Sequence, residues 1–224
     1  RLCHERGILF HTDATQAVGK IPIDVRGDGI DLLSLSAHKF YGPKGIGALY
    51  VRRRDPQVRL QPLFDGGGHE RGFRSGTLAV PLIVGLGEAC RIASEEMDTD
   101  EARIFELRER LHRGLAERVG GLKLNGHPTD RLAGNLNLSF EGVDGEALML
   151  AMRDVAVSSG SACSAANPEP SHVLAAMGLD EDMARASLRF GLGRFTTAEE
   201  VDFAIGAVAS AVERLRALSV VARV

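Results

Sequence analysis

The chain has 224 residues, and its 27 Lys and Arg stand against 30 Asp and Glu, which gives a formal net charge of −3. General binding to nucleic acid needs an excess of basic side chains, so this charge argues against it. Hydrophobic residues make up 44% and charged residues 25% of the chain, values typical of a folded globular protein. The most apolar window, residues 78–86, is too short for a transmembrane helix, so we expect no membrane segment.

The three cysteines, Cys3, Cys90 and Cys163, are odd in number and widely spaced. They form no CxxC pair, so the sequence predicts neither a zinc site nor a disulfide framework. A reducing, cytoplasmic location is therefore the default expectation, and we expect Cys3 and Cys90 to be small buried residues. The opening RLCHERGILF is typical of a helix end followed by a buried strand, so we expect the chain to be part of a longer protein.

Short apolar runs predict the strands of an α/β sheet in the first part of the chain. They span residues 8–12, 30–37 and 46–51, and glycine or polar residues bound each of them. A glycine-rich loop over residues 66–77 follows, and then a helix from about residue 81 to residue 97. Asp98, with Glu101 three residues later, has the pattern of a helix cap. We therefore place a domain boundary between residues 97 and 98.

The second part of the chain alternates helical and strand patterns. Apolar residues at helical spacing predict a helix after the cap: Ile104, Leu107, Leu111, Leu115 and Val119. An alternating strand over 136–140 follows, then helices near 146–154 and 171–177 with the loop SSGSACSAANPEP between them. Thr197 and Glu200 form a capping box that begins a last helix. Its predicted apolar stripe consists of Val201, Ile205, Val208, Val212 and Leu215.

Asp13 and Lys39 each follow a predicted parallel strand, at the position where open α/β sheets bind their ligands. An amine and a carboxylate that face one crevice suit pyridoxal phosphate. The amine forms a Schiff base with the aldehyde, and the carboxylate pairs with the pyridinium nitrogen. On spacing alone, a surface lysine and a helix-capping aspartate are the simpler interpretation.

Neighbouring residues favour the cofactor. Ser36 and His38 flank the lysine with short polar donors that suit a phosphate group. The segment GGGHERGFRSGT over residues 66–77 adds backbone amides, two arginines and hydroxyls, which also bind anions. It is not a Walker A loop, because no GK[ST] follows a correctly spaced glycine. Taken alone, this segment would be interpreted as a flexible glycine loop.

Cys163 lies in SSGSACSAAN, a run of tiny residues with nothing bulky to pack around the thiol. An exposed thiol can act as a nucleophile once it is deprotonated, and the reference pKa of a cysteine thiol is about 8.5. A linker that happens to carry a cysteine is the alternative. Arg189 and Arg194, in RFGLGRFT, are candidates for binding a substrate carboxylate with their planar donors, although surface arginines are common.

Five blocks in this order carry a family resemblance: HTDATQAVGK, LSLSAHKFYGPKGIGALYVRR, GGGHERGFRSGT, AVSSGSACSAANPEPSHVL and SLRFGLGRFTTAEE. Together they resemble the cysteine desulfurases of the IscS/NifS type, in the class V aminotransferase superfamily. The resemblance implies an α/β chain of pyridoxal-phosphate fold type I. Residues 1–97 would form the C-terminal part of the cofactor-binding large domain, with a mostly parallel sheet flanked by helices. Residues 98–224 would form a smaller α+β domain that carries the cysteine loop.

The resemblance also implies how single residues would hold the cofactor. By motif, Lys39 matches the Schiff-base lysine and Asp13 the partner of the pyridine nitrogen. Gln16 matches the residue that hydrogen-bonds the cofactor's phenolic oxygen. Ser36 and His38 match phosphate ligands.

Further matches concern the phosphate of a neighbouring subunit and the substrate. Thr77 matches the residue that reaches the neighbouring subunit's phosphate in a homodimer. Cys163 matches the cysteine that becomes a persulfide. The resemblance is also compatible with Cys163 as a transient iron–sulfur ligand, and we expect no other metal site. Arg189 matches the arginine that holds the substrate carboxylate, and we rank Arg194 second.

The implied function is conversion of L-cysteine to L-alanine, with transfer of sulfur to the enzyme. The sulfur would then be transferred to an iron–sulfur scaffold protein and other acceptors. We expect no membrane partner, and no nucleic-acid partner beyond an indirect supply of sulfur for tRNA thiolation. Two rivals stay open. One is a selenocysteine lyase or related class V lyase, which would share Lys39 but need not depend on Cys163. The other is a non-catalytic module that binds sulfur acceptors.

Two departures from the family matter for these expectations. Its members are nearly twice as long, and their upstream half supplies a histidine that stacks on the cofactor ring, an asparagine beside it and a Gly-Thr phosphate loop. In addition, this sequence ends at LSVVARV, whereas the family continues into a tail that helps to dock the scaffold protein. We therefore expect an incomplete cofactor cage and altered partner binding in the isolated chain.

Overall fold

The computed structural model describes residues 1–159 and 171–221. The chain divides into two compact units, Arg1–Asp98 and Thr99–Val224. This division lies one residue beyond the boundary placed from the sequence. Among the described helices, none combines the length and the apolar character needed to cross a membrane.

The first unit contains a three-stranded sheet. Its strands are β1 (His11–Asp13), β2 (Leu32–Ser36) and β3 (Gly47–Val51), in the order β1-β2-β3. The pairing of β1 with β2 is parallel, and that of β2 with β3 is antiparallel. The predicted first strand over residues 8–12 is wrong at its start, because pairing with β2 begins only at His11. An apolar run marks residues that avoid water, but it does not mark where a strand partner begins.

One face of β2 is buried and the other is polar. Leu33 packs with Ala14 and Ile30, and Leu35 packs against the same cluster and against Phe40. Because side chains alternate along a strand, Ser34 and Ser36 lie on the opposite face. This alternation therefore places the polar side chains of β2 on one face of the sheet. The candidate site lies where β2 ends.

A buried carboxylate joins the segments around this sheet. Asp31 is fully buried, accepts the Phe10 backbone N–H at 2.8 Å and lies 3.0 Å from Arg52 Nε and 2.9 Å from His4 Nε2. Burial alone would raise the pKa of Asp31. The hydrogen bonds from Phe10 and His4 and the charges of His4 and Arg52 outweigh it, so the pKa is lowered from its ordinary value.

A single helix, α1 (Val80–Arg118), replaces the two helices predicted around Asp98. The predicted cap at Asp98 is therefore wrong. Asp98 and Thr99 are exposed on a continuous helix. Polar residues of low helix propensity are tolerated on an exposed face when good helix formers flank them, so a capping pattern alone does not begin a new helix.

The second unit contains a four-stranded antiparallel sheet with helices packed against it. Its strands, in the order β4-β5-β7-β6, are Leu122–Leu124, Asn135–Phe140, Ser187–Gly191 and Ser158–Ser159. The remaining helices are α2 (Gly145–Ala151), α3 (His172–Ala176), α4 (Glu181–Arg185) and α5 (Ala198–Val221). The short elements β4, β6, β7 and α4 have no counterpart in the sequence prediction.

The predicted apolar stripes form the core of this unit. Three stripe positions of α1 and Val119, directly after its end, are buried in one cluster with four of the five stripe positions of α5 and the inward side chains of β5. The predicted capping box is confirmed: the Thr197 backbone N–H donates to Glu200 Oε2 at 2.9 Å, and the Glu200 N–H donates to Thr197 Oγ1 at 3.2 Å. Periodicity and capping chemistry therefore predict this unit's main helices well.

Candidate functional site

Two strand ends bring the predicted cofactor residues to one edge of the first unit's sheet. Asp13 is the last residue of β1 and lies opposite Ser34 of β2. The Ala14 backbone N–H continues this pairing by donating to the Ser34 carbonyl at 2.9 Å. β2 ends at Ser36 and passes directly into a 3-10 turn, Ala37–Lys39. Because β1 and β2 are parallel, their carboxyl ends meet at the same edge.

Polar side chains occupy one face at this edge. His11 and Asp13 of β1 lie on the same face, because they are two residues apart. His11 Nε2 and the Ser34 hydroxyl are hydrogen-bonded at 2.6 Å. Beyond the strand end, the Ser36 hydroxyl and His38 Nδ1 are hydrogen-bonded at 2.8 Å. A row of donors and acceptors thus leads up to Lys39.

The electrostatics of Asp13 favour its ionised form. The Thr15 hydroxyl and the Thr15 backbone N–H, at 2.9 Å from Asp13 Oδ1, lower the pKa of the carboxyl group. The charge of His11 lowers this pKa further, while desolvation of the carboxyl group opposes the shift. Asp13 is therefore an acceptor-only group at neutral pH, which suits a protonated ring nitrogen.

Gln16 lies in the turn after β1 and accepts a hydrogen bond from a second lysine. Lys20 Nζ donates to Gln16 Oε1 at 2.8 Å. Burial lowers the pKa of Lys20, and the charge of Lys39 lowers it further. Lys20 is half-buried, whereas Gln16 and Lys39 are exposed. Lys20 lies in the motif HTDATQAVGK, but the sequence analysis gave it no role, and its spacing of four from Gln16 was the available signal.

Backbone packing determines where Lys39 lies. The Ala37 N–H donates to the Ile46 carbonyl at 3.1 Å, and Gly47 pairs with Ser36. An added Cβ on Gly47 would lie 2.4 Å from the Leu35 carbonyl oxygen, so only glycine fits without movement of the backbone. Phe40, which follows the lysine directly, is buried. The strand pair and this aromatic residue therefore fix the turn that carries Lys39.

Thr77 lies in a different part of the first unit. It lines an open concavity together with His69, Arg74 and Ser75 of the glycine-rich segment. The residues that line this concavity include none of Asp13, Ser36, His38 and Lys39. Within it, the Gly68 N–H donates to the Ser75 hydroxyl and the Gly76 N–H donates to His69 Nδ1, both at 3.3 Å. Thr77 therefore lines a concavity to which these four strand-end residues do not contribute.

The two candidate arginines of the second unit have different surroundings. Arg194 Nε and Nη2 each lie 2.6 Å from Asp100 Oδ2, and both side chains are about four-fifths buried. Arg189 is exposed on β7, and its Nη2 donates a long hydrogen bond of 3.4 Å to the Ser158 hydroxyl. Arg194 thus serves an ion pair within its unit, whereas Arg189 presents its guanidinium to solvent.

The cysteines are only partly described. Cys163 lies outside the described residues. Cys3 is half-buried, while Cys90 is exposed on α1, which corrects the prediction of a buried residue. The buried positions on that part of the helix are Ala89 and Ala93, so the next position turns outward. Over residues 1–159 and 171–221, no group of three His, Cys, Asp or Glu side chains is arranged to hold a metal ion.

Known proteins similar to this chain share both its sequence and its fold. The family model for aminotransferase class V matches residues 1–203. A cysteine desulfurase IscS from Histophilus somni (strain 129Pt) is 60% identical over 97% of this chain and 54% of its own length. The mitochondrial cysteine desulfurase of Arabidopsis thaliana is 56% identical over 97% of this chain and 48% of its own length. A solved NifS-like protein superimposes with a TM-score of 0.82 at 36% identity, over 94% of this chain and 54% of that one.

The chain spans about half the length of the curated relatives it matches. The family match nevertheless covers most of the chain, and the solved relative has the same fold over nearly all of it. The chain therefore belongs to the class V aminotransferase family.

Proposed function

We propose that this chain carries much of the active site of a pyridoxal-phosphate-dependent cysteine desulfurase. The observation that carries the proposal is the position of Asp13, the last residue of β1, and of Lys39, in the turn directly after the adjacent parallel strand β2. The names of the relatives, which are cysteine desulfurases, support the choice of reaction. The activity, its substrate and its partners are proposals, because this chain spans about half the length of these relatives.

The residues at the strand ends fit the chemical groups of this cofactor. Lys39 supplies an amine for the aldehyde, and the ionised Asp13 accepts a hydrogen bond from the ring nitrogen. Gln16 directs amide N–H donors to the ring oxygen. Ser36 and His38, already hydrogen-bonded to each other, supply donors for the phosphate group. Thr77, in its separate concavity, would serve the phosphate bound by a second subunit.

When bound, pyridoxal phosphate supplies an electron sink for negative charge that develops on the substrate's Cα. Asp13 keeps the ring nitrogen protonated because its carboxyl group stays ionised at neutral pH. The Lys39 amine would move the proton at the substrate's Cα. Arg189, exposed on β7, is the proposed partner of the substrate carboxylate. Its rival Arg194 already holds Asp100, which supports ranking Arg189 first.

The sulfur step is assigned to Cys163. Its thiolate forms an S–S bond with the sulfur of L-cysteine while the C–S bond breaks. The carbon retains the electron pair of the broken bond and takes up a proton, so alanine is the second product. The persulfide then passes its terminal sulfur to an acceptor protein.

We also propose the wider setting of this reaction. A homodimer would let Thr77 act on the neighbouring subunit's cofactor, and the sulfur would go to an iron–sulfur scaffold protein and other acceptors. We propose the cytoplasm as its location, although one of the relatives is named as mitochondrial. The odd number of cysteines in the sequence supports a reducing compartment.

The experiment that tests this function measures alanine and sulfide formed from L-cysteine in the presence of a thiol reductant. The parent protein should release both products in equal amounts. Cys163→Ala should release neither above background, whereas Cys90→Ala should behave like the parent, because Cys90 lies on the exposed side of α1. Undiminished sulfide release by Cys163→Ala would contradict the assignment and favour a lyase that does not use this thiol.

A further inference from the structure

A second lysine contacts the candidate cofactor site through a residue that the proposed function already uses. The chain has 27 basic residues, but only Lys20, Lys39, Lys44 and Lys123 are lysines. Lys20 lies in the turn after β1, four residues beyond Gln16, so both side chains lie on the same side of the turn. Its ammonium nitrogen donates to Gln16 Oε1 at 2.8 Å.

The chemistry of this contact determines the orientation of the Gln16 amide. An ammonium group has three donors and no acceptor, so it can bind only the carbonyl oxygen of the amide. Both N–H donors of Gln16 are then left for an acceptor. A glutamine without such a partner would present oxygen or nitrogen with similar ease, and an oxygen would repel another oxygen atom.

The position of Lys20 distinguishes this contact from an ordinary surface pair. Lysine side chains usually extend into water, yet Lys20 is half-buried. The turn that carries it packs tightly on the segment after Lys39: a Cβ added to Gly19 would lie 3.0 Å from Phe40 Cβ and 3.3 Å from Ala93 Cβ. Burial lowers the pKa of Lys20, and the charge of Lys39 lowers it further. Lys20 is therefore held beside the predicted site.

We propose that Lys20 is a positioning residue that binds Gln16 Oε1 and thereby turns the Gln16 amide donors toward the ring oxygen of the cofactor. This inference rests on the proposed function, because it assigns a ring oxygen as the acceptor. Lys20 itself does not touch the reacting atoms. Its effect on the cofactor passes through Gln16.

The first test needs no cofactor. The chain contains only three glutamines, Gln16, Gln57 and Gln61, so labelling with 15N-glutamine gives three side-chain amide signals, and Gln16→Ala assigns one of them. Lys20→Met should shift the Gln16 signal. Lys123→Met, the same charge change at an exposed position of β4, should leave it in place. An unmoved Gln16 signal in Lys20→Met would overturn the proposal.

The second test measures the dissociation constant for pyridoxal phosphate in a double-mutant cycle. Loss of one hydrogen bond should raise the constant about three- to tenfold in Lys20→Met, and it should shift the visible absorption band of the bound cofactor. In the Gln16→Ala background, Lys20→Met should add nothing. Lys20→Arg, which keeps a donor-only cation, should retain most of the affinity.

The outcomes separate this inference from the proposed function. An unchanged dissociation constant in Lys20→Met, or an equal increase with and without Gln16, would overturn the positioning role while leaving the cofactor assignment intact. Failure of the parent protein to bind pyridoxal phosphate would instead overturn the proposed function, whatever the amide signals show. Thermal unfolding of each cofactor-free variant identifies any that are misfolded. If Lys20→Met is misfolded, Lys20→Leu provides a second replacement without a donor.

Discussion

Gly47→Ala should disturb the strand pair that carries Lys39. Gly47 opposes Ser36 at the end of β2, and an added Cβ would lie 2.4 Å from the Leu35 carbonyl oxygen. Ordinary contact begins at 3.4 Å, so β2 and β3 must separate locally by about 1 Å. Overpacking of this kind costs about 1–3 kcal/mol. A chain of this length should then lose roughly 2–10 °C in the melting temperature of the affected unit.

The assay combines thermal unfolding, hydrogen exchange of the β2 amides and the dissociation constant for pyridoxal phosphate. In Gly47→Ala the melting temperature should fall, the β2 amides should exchange faster and the dissociation constant should rise. The reason is that the displaced carbonyl belongs to Leu35, the residue before Ser36. Gly191→Ala is the matched control: Gly191 also lies in a strand, and a Cβ added there meets no atom within 4 Å. Parent-like values of all three quantities in Gly47→Ala would refute the reasoning.

Two further changes test the energetics of the two units. Asp31→Asn should cost about 3 kcal/mol of unfolding free energy at neutral pH, because it leaves the charge of Arg52 unpaired in a buried site. The folded-state pKa of Asp31 lies below its ordinary 3.8, so its stabilisation is present above that value and is lost as the pH falls through the folded-state pKa. Urea unfolding curves should therefore show the parent and the variant converging below about pH 4, and a constant difference at every pH would contradict this. Gly206→Ala in α5 should raise the free energy of unfolding by about 0.5–1 kcal/mol, because glycine weakens a helix and the added Cβ meets no atom within 4 Å; a loss of stability would contradict it.

The sequence predicted those parts of the fold that depend on short-range patterns. The spacing of Leu107, Leu111 and Leu115 indicated a buried helix face, and these residues are buried in the core of the second unit. The Thr197 capping box needs only two residues three positions apart, and it forms as predicted. The strand-end positions of Asp13 and Lys39 follow from two apolar runs and their polar ends.

Other features depend on contacts that no local pattern contains. Arg189 and Arg194 look alike in sequence, and what separates them is an ion pair with Asp100, which lies 94 positions away in the chain. The pattern at Asp98 is that of a cap, yet α1 continues through it because its neighbours form helix readily. β4, β6 and β7 are short, and tertiary pairing decides whether they form at all: β4 and β7 pair with β5, and β6 pairs with β7.

The most direct test of the account is the identity of the lysine that binds the cofactor. The protein loaded with pyridoxal phosphate would be reduced with borohydride, digested and mapped by mass spectrometry. The chain has four lysines, and Lys39 and Lys44 are five positions apart, so fragment ions of the labelled peptide are used to distinguish these two. We expect the reduced cofactor on Lys39, and loss of that label in Lys39→Ala. A label on Lys20 or Lys44 instead, or an unlabelled Lys39 in protein that retains its cofactor, would contradict the central claim.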